Sequence, residues 1–433
     1  MKKYHFIAVL PILLSSCSSS TLTYHDFLLR EAKKEEEVTS KDTMTSDFDS
    51  LLSSLNRFSG TFTDSYYQDF DQKDKNSVIS PLSTYFAFLI AAQISSGNTR
   101  KEILDTLNLK DDQNLVNDIR ILYNASQKEK KEEDGVSLRQ IVSNSIWFDK
   151  SVRFQEGILD KIGDDVYASS YQVDFQNDVK KANEVIQEYV KEMTHGMIDK
   201  DFHFSENSDV ILMNTLYLKT LWNDFGKDLE LSKDTYRFTN RDSSKKDIQL
   251  MTFPEQIGRA YHKADYSSFE VVSQGDISLR FILPKDDKDI GDIMTPSVLE
   301  EVSKATYSGI DDIEKKEYLT TCYFPSFIAQ SDESITSIME RMGIHDLFNA
   351  NCDVTPLTSE KMNFDKVRHI AKLDVDRKGI EGSAVTIISS DGGMMPDEYE
   401  KVHEDFILDR AFGYVIQDRY GIPLFTGITN VVS

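Results

Sequence analysis

Three runs of the chain are too apolar to lie at the edge of a sheet: QIVSNSIWFD (residues 140–149), DVILMNTLYLKTLW (209–222) and DISLRFILP (276–284). A half-exposed strand alternates with polar residues, whereas a strand buried on both faces is apolar almost throughout. Helices dominate the first third of the sequence. SPLSTYFAFLIAAQ (80–93) opens on Ser-Pro, a favourable helix start, and stays apolar on every side, as a buried helix does. In SSGNTRKEILDTL (95–107) a turn leads into a second helix, with Thr99 as its expected cap and Glu102 in capping-box spacing. KANEVIQEYVKEMTHGM (181–197) is amphipathic, with Val185, Tyr189 and Met193 along one side and Gly196 at its stop. Strands dominate after residue 209 and end in FGYVIQDRYGIPLFTGITNVV, a hairpin turning at 419–421. Helices first and strands later define an α+β domain of about 380 residues, spanning 51–433.

Of the 433 residues, 39% are hydrophobic and 28% charged, so the chain folds rather than staying disordered. A formal charge of -24 argues against a nucleic-acid partner and against a basic face for acidic lipid. The N-terminus is more specific. Lys2 and Lys3 precede FIAVLPILL (6–14) and then SSCSSS, the order of an export signal, with an apolar run too short to span a bilayer. Leu14-Ser15-Ser16-Cys17 resembles the bacterial lipobox, in which the peptide is cut before a cysteine whose nucleophilic thiol takes lipid. Residues 1–16 are then a signal peptide and 17–50 a lipidated cysteine followed by a polar tether, EAKKEEEVTSKDTMTSD being charged without an apolar face. Ser18 differs from the aspartate of the usual inner-membrane retention signal, so the expected location is the outer membrane or cell surface. Cys322 and Cys352 remain, and no disulfide or metal motif follows from them.

Conventional catalytic signals are missing. There is no GxSxG elbow, P-loop, HExxH or dinucleotide glycine pattern. The eight histidines are scattered without ligand spacing. No cofactor or metal is expected. His369, in the strand-like VRHIAKLDVD, reads as structural, and Trp147 and Trp222 read as core. What stands out is the stretch 389–405, between strand-like segments, with no clear period. A loop that long inside a compact domain is usually functional or disordered, and an exposed extended one is a protease substrate.

Several stretches, taken together, resemble the serpin family from about residue 76 to 432. NSVISPLSTYFAF resembles its N-x-x-x-SP-x-S segment, and SSGNTRKEI its G-x-T turn. VILMNTLYLKTLWNDF carries Asn214, Tyr217, Lys219, Trp222 and Phe225 of a further signature, with Thr220 where glycine is usual. YVKEMTHGMI keeps Thr194, Gly196 and Ile198, with Gln187 replacing an asparagine. VRHIAKLDVDRKGIEGSAVT matches the hinge at His369, Ala371, Val375, Gly379, Glu381, Ala384 and Thr386, and the C-terminus matches the closing strands. The resemblance implies one domain of three β-sheets and eight or nine helices, with an exposed reactive-centre loop at about 379–405. It also implies a protease inhibitor, not an enzyme: a target cleaves the loop, forms an acyl-enzyme, and is dragged and distorted as the loop inserts into the large sheet. Asn214, Lys219, Trp222 and His369 would lie in the breach and core of that sheet.

An inserting strand buries alternate side chains, where a large or charged residue slows it. In family register Ile380, Gly382, Ala384 and Thr386 face inward, and Glu381, Ser383, Val385 and Ile387 outward. Ile380 departs from the usual threonine or serine, and Arg377-Lys378 replace the customary acids. Family loop length puts the cleaved position at Gly393. Methionine suits medium apolar protease pockets better, which favours cleavage after Met394, with Gly393 or Met395 as alternatives. Pro396 disfavours a cut at Met395. The implied targets are elastase-like or subtilisin-like serine proteases, with papain-like cysteine proteases also open, and the implied state is a monomer. The alternative is a serpin-shaped binding or structural lipoprotein that does not inhibit, supported by Ile380 and by the lengthy far side of the loop, PDEYEKVHED. A hydrolase using Ser80 or His369 ranks far behind.

Overall fold

The computed structural model describes residues 23–132, 135–222, 228–362, 364, 367–380 and 399–432. Strand β1 is Leu28–Arg30, followed by helix α1 (Ser46–Phe70), β2 (Ser77–Ile79), α2 (Pro81–Ile94), α3 (Gly97–Thr106) and α4 (Leu115–Ala125). Next come β3 (Lys128–Glu132), β4 (Gly135–Asp149), α5 (Ile158–Asp165), β5 (Ala168–Val173), α6 (Phe175–Met193) and β6 (Val210–Leu221). The second half gives β7 (Met251–Ile257), β8 (Tyr266–Ser273), β9 (Ile277–Pro284), α7 (Pro296–Lys304), β10 (Lys316–Phe324), β11 (Phe327–Ser334) and α8 (Thr336–Met342). The chain closes with β12 (Arg368–Val375), β13 (Gly379–Ile380), β14 (Glu400–Ile407), β15 (Phe412–Gln417) and β16 (Pro423–Thr429).

The large sheet runs β1-β5-β4-β6-β13-β12-β11, with β3 paired to β4. A second sheet contains β8-β9-β15-β16-β2, and a third contains β10 between β7 and β14. The three apolar runs of the sequence become β4, β6 and β9, each with a strand on both sides, as their composition requires. Residues 236–239 and 245–248 add a separate two-stranded ribbon to the three expected sheets. Two single-turn helices, Ser40–Thr43 and Ile290–Ile293, bring the described α-helices to ten, against the eight or nine expected. Helix α2 is buried along nearly its whole length, with the Ser80 hydroxyl accepting from the Ser83 N–H as its cap. The closing hairpin turns through Gly421, at φ +81°, and the Asp418 carboxylate accepts from the N–H groups of Tyr420 and Ile422.

Two local expectations are corrected. The cap of α3 is Ser96, and Thr99 is fully buried, its hydroxyl accepting from the Asp353 N–H at 2.9 Å. Glu102 reaches the N–H groups of His345 and Asp346, both at 2.8 Å, so distant backbone donors replace the local capping box. The folded body also begins well before Leu51. Tyr24 is 3% exposed, with its ring against Tyr189 and Tyr171 and its hydroxyl donating to Glu192 at 2.8 Å. β1 pairs with β5, and Thr45 caps α1 by accepting from the Phe48 N–H. Two buried rings, Tyr24 and Phe48, backbone pairing and the ion pairs of Arg30 with Asp160 and Asp164 tie this segment down, and together they leave no hydrophobic period in the sequence. The signal peptide and Cys17 lie outside the described residues.

Candidate functional site

The site is the seam of the large sheet between β6 and β12. At its upper end β12 turns tightly through residues 376–379 into β13. The Asp376 carboxylate accepts from the N–H groups of Lys378 and Gly379, and the Asp376 N–H donates to Gly379 O at 3.0 Å. Gly379 then pairs with Leu221, and Ile380 with both Thr220 and Val375. Only glycine fits at 379, because a Cβ there would lie 2.1 Å from Thr220 O. Ile380 is fully buried in the position given to it by the inward register.

Trp222 closes this corner. Its ring packs edge-on against Phe253 and Phe324, and its Nε1–H donates to Asp376 O at 2.6 Å. The Trp222 N–H donates to Lys378 O, the Leu229 N–H to Arg377 O, and Arg377 Nε back to Leu229 O. The hinge turn is thus held by the Asp376 carboxylate, the Trp222 indole, the Arg377 guanidinium and the backbone carbonyls of 376–378. Thr220, where glycine is usual in the family pattern, buries its hydroxyl against Gln274 O at 2.8 Å. Lys219 lies elsewhere: it stands opposite Arg139 in the β4–β6 register, beside His195. Burial first, then Arg139 and to a smaller degree Lys219, hold the His195 imidazole below its ordinary pKa.

Below β13 the same seam contains a cavity of about 100 Å³, lined by β6, β12, the start of α2 and the end of α6. Among the described residues, β6 and β12 are joined only through β13. Asn214 lines the cavity. Its amide donates to Asn144 Oδ1 at 2.6 Å, and its own Oδ1 is buried without a partner among the described residues. His369 pins β12 to α2: its Nε2 accepts from the Ser80 N–H at 3.1 Å, and Nδ1 lies 3.3 Å from Thr84 Oγ1. Burial pushes its pKa down to about 4, so the ring is neutral with the proton on Nδ1. Ser80 uses its hydroxyl as a helix cap and meets His369 through its backbone N–H, an arrangement without a nucleophile and base.

The returning end is β14, which runs parallel to β10 for eight residue pairs, Lys316↔Glu400 to Tyr323↔Ile407. Glu404 points inward. Its carboxylate meets His262 Nε2 at 2.8 Å and accepts from the Ala260 N–H at 3.2 Å. His403, the next residue, meets Glu255 at 2.7 Å. The expected loop of 379–405 is therefore shorter at both ends, because Gly379–Ile380 and Glu400–Ile407 are strands. The far side PDEYEKVHED loses its last six residues to β14, which removes much of its unusual length. Glu381, Gly382, Ser383, Ala384, Val385, Thr386, Gly393, Met394 and Met395 lie outside the described residues.

Sequence reasoning missed Asp376, Leu229, His262 and Glu404. An aspartate three residues before a glycine is a turn signal that marks Asp376; no local signal joins His262 to Glu404, 142 positions away.

A family model of serpins, serine protease inhibitors, matches residues 53–432, and the chain belongs to that family. Among curated relatives, serine proteinase inhibitor 2.4 of Apodemus sylvaticus is 27% identical over 88% of this chain and 89% of its own length. Serine protease inhibitor 88Ea of Drosophila melanogaster is 26% identical over 82% and 85%. Serpin48 of the insect Tenebrio molitor superposes with a TM-score of 0.72 at 18% identity, covering 90% of this chain and all of that one. The native thermophilic serpin tengpin gives 0.68 at 20% identity over 93% and 97%, so both establish the fold alone.

Proposed function

We propose that this serpin is a lipid-anchored inhibitor that traps serine proteases of the elastase-like or subtilisin-like kind through cleavage of its loop after Met394. The observation that carries this reading is the position of Gly379–Ile380. They already form the first pair of a strand between β6 and β12, at the head of a seam with a cavity below them. Each further pair would extend a ladder that is already nucleated, with Gly382, Ala384 and Thr386 following Ile380 on the inward side. The protease supplies the chemistry, and the serpin supplies a strand that enters faster than the acyl bond is hydrolysed. No arginine or lysine stands near Met394, so a trypsin-like pocket has no partner there. Attachment through Cys17 places the protein in the cell envelope, at the outer membrane or cell surface.

The test is a titration and denaturing gel against elastase, chymotrypsin, subtilisin, trypsin and a papain-like protease. A detergent-stable complex with loss of elastase or subtilisin activity is expected, and the released peptide should begin at Met395. Cleaved protein with no complex for any of the five would reject trapping.

A second reading, a serpin-shaped binder that does not inhibit, draws on Ile380, whose branched side chain already fills the first inward place. Thyroxine-binding globulin, solved with thyroxine, shares the fold at a TM-score of 0.68 and 20% identity. Melting before and after a cut within 393–395 separates the two. Trapping requires a large rise, and an unchanged midpoint supports the binder.

A further inference from the structure

The N-terminal segment fixes how the body sits on its membrane, an inference that rests on the lipid anchor proposed at Cys17. The chain joins the folded body at Thr23, whose N–H donates to Asp26 at 2.7 Å, and Tyr24 is immediately buried. From there it stays on the body. Arg30 pairs with Asp160 and Asp164 of α5, the Lys33 N–H donates to Gly163 O, and the Glu36 N–H donates to Asn124 Oδ1 of α4. Only residues 18–22 separate Cys17 from Thr23. Six residue steps reach about 20 Å when fully extended, whereas a free tether through residue 50 would reach on the order of 100 Å.

What stands at the exit is β1, the outermost strand of the large sheet, paired on one side to β5. Leu28 is 37% and Leu29 39% exposed. The register slips between Leu28 and Arg30, a bulge that breaks the alternation of faces and leaves both leucines exposed at the open edge. An open edge carrying two leucines is a liability in water. Arg30 pairs with Asp160 and Asp164, and Lys33 with Glu36, while Glu31, Lys34 and Glu35 stand exposed further along the segment. The whole chain is acidic, so attraction to lipid headgroup charge does not drive the contact.

We propose that the lipid on Cys17 holds the β1 edge against the bilayer, with Leu28 and Leu29 in its interface and the Gly379–Ile380 hinge held away from it. Leu28 aligns with Tyr171, Trp147 and Ile211 across the sheet, whereas the hinge aligns with Leu221. Four strand spacings across and ten residues along put the hinge on the order of 40 Å from β1. The hinge is thus held clear of the lipid on which the β1 edge rests.

The test uses the full-length, lipidated protein in phosphatidylcholine vesicles, with Cys352→Ser and a fluorescent label on either Leu29→Cys or Ile313→Cys. Ile313 is 95% exposed in the turn whose Asp312 accepts from the Tyr399 hydroxyl at the return of the loop. Brominated lipid should quench the label at 29 at least twofold and leave that at 313 unchanged. Inserting twenty Gly/Ser residues between Ser19 and Ser20 should abolish the quenching while the protein stays on the vesicle. No quenching at 29 in vesicle-bound protein, or equal quenching at both sites, overturns the inference. Shielding of the label at 29 in detergent, with a dimer by light scattering, also overturns it, in favour of a second copy on this edge. Mass spectrometry of the N-terminal peptide keeps the two failures apart: an unmodified Cys17 sinks the anchor itself.

Discussion

The two ends of the loop are held in different ways. At the hinge, a two-residue strand, Gly379–Ile380, is wedged between β6 and β12, and its turn is clamped by Trp222, whose indole and backbone N–H donate to Asp376 O and Lys378 O. At the return, eight residues of β14 pair in register with β10, and Glu404 and His403 add side-chain ties to His262 and Glu255. The hinge has formed the beginning of a ladder and can continue it. The return would have to dissolve a completed one. In the trapping proposed above, a cut loop needs only the first movement, and an uncut loop enters the sheet only if both occur. On that proposal the difference would give the native state its persistence and let cleavage act as the trigger.

The largest expected effect comes from blocking the hinge movement. Thr386→Arg would place a charge at an inward position of the growing strand, and burying an unpaired charge costs several kcal/mol. Insertion should then lose to deacylation, raising the moles of inhibitor consumed per protease at least tenfold. Glu381→Ala, on the outward side, should change that ratio little. Unchanged stoichiometry in the arginine variant would show that the inward register is wrong.

His369 brings pH into the same seam. Its folded pKa of about 4 lies below the ordinary histidine value because the ring is buried. The unfolded chain therefore binds the proton more readily, and stability is full above about pH 6.5 and falls as pH drops toward 4. Between pH 7.5 and pH 5 the loss is on the order of 2 kcal/mol. Urea unfolding at the two pH values measures it, and His369→Asn should flatten the difference. A wild-type stability that does not fall in this window would contradict a neutral, buried ring between α2 and β12.

Trp222→Phe sharpens the contrast from the hinge side. It keeps an aromatic ring on Phe253 and Phe324 but leaves Asp376 O without its donor, a cost of about 1–3 kcal/mol. The melting midpoint should fall by a few degrees, and the hinge turn should exchange its amide protons faster. Exchange at β14 should remain as it was. Equal acceleration at both ends would mean that they open as one unit.

How much of this was legible in the sequence follows from which forces left a local pattern. The interior strands β4, β6 and β9 and the buried helix α2 were readable because burial on all sides excludes polar residues over many positions. Strand β14 was read as loop because its inward position 404 is a glutamate, satisfied by His262 and a backbone N–H far away in sequence. The segment 23–50 was read as tether because only two widely spaced buried rings, backbone pairing and ion pairs to distant residues hold it. Of the site, Trp222, His369 and the inward place of Ile380 came from resemblance, and Ile380 is fully buried. Lys219 was grouped with the breach by resemblance, yet it sits beside His195. The Asp376 turn was passed over because attention fell on the charges of Arg377-Lys378, whereas the structure uses both their carbonyls and, at Arg377, the guanidinium as a donor to Leu229 O.

The smallest expected effect is the one that tests the return end alone. Glu404→Gln keeps the shape of the side chain but weakens its pairing with half-exposed His262, a loss of about 1 kcal/mol or less. If detachment of β14 limits entry of the uncut loop, spontaneous loss of inhibitory activity at 37 °C should quicken by up to roughly fivefold. A rapid titration of fresh protein should give the same stoichiometry as wild type, because a cut loop leaves β14 in place. His403→Ala, which removes a more exposed pair with Glu255, should do less. A raised stoichiometry with an unchanged shelf life would reverse the assignment: β14 would then belong to the trapping movement, and the two ends would not be independent.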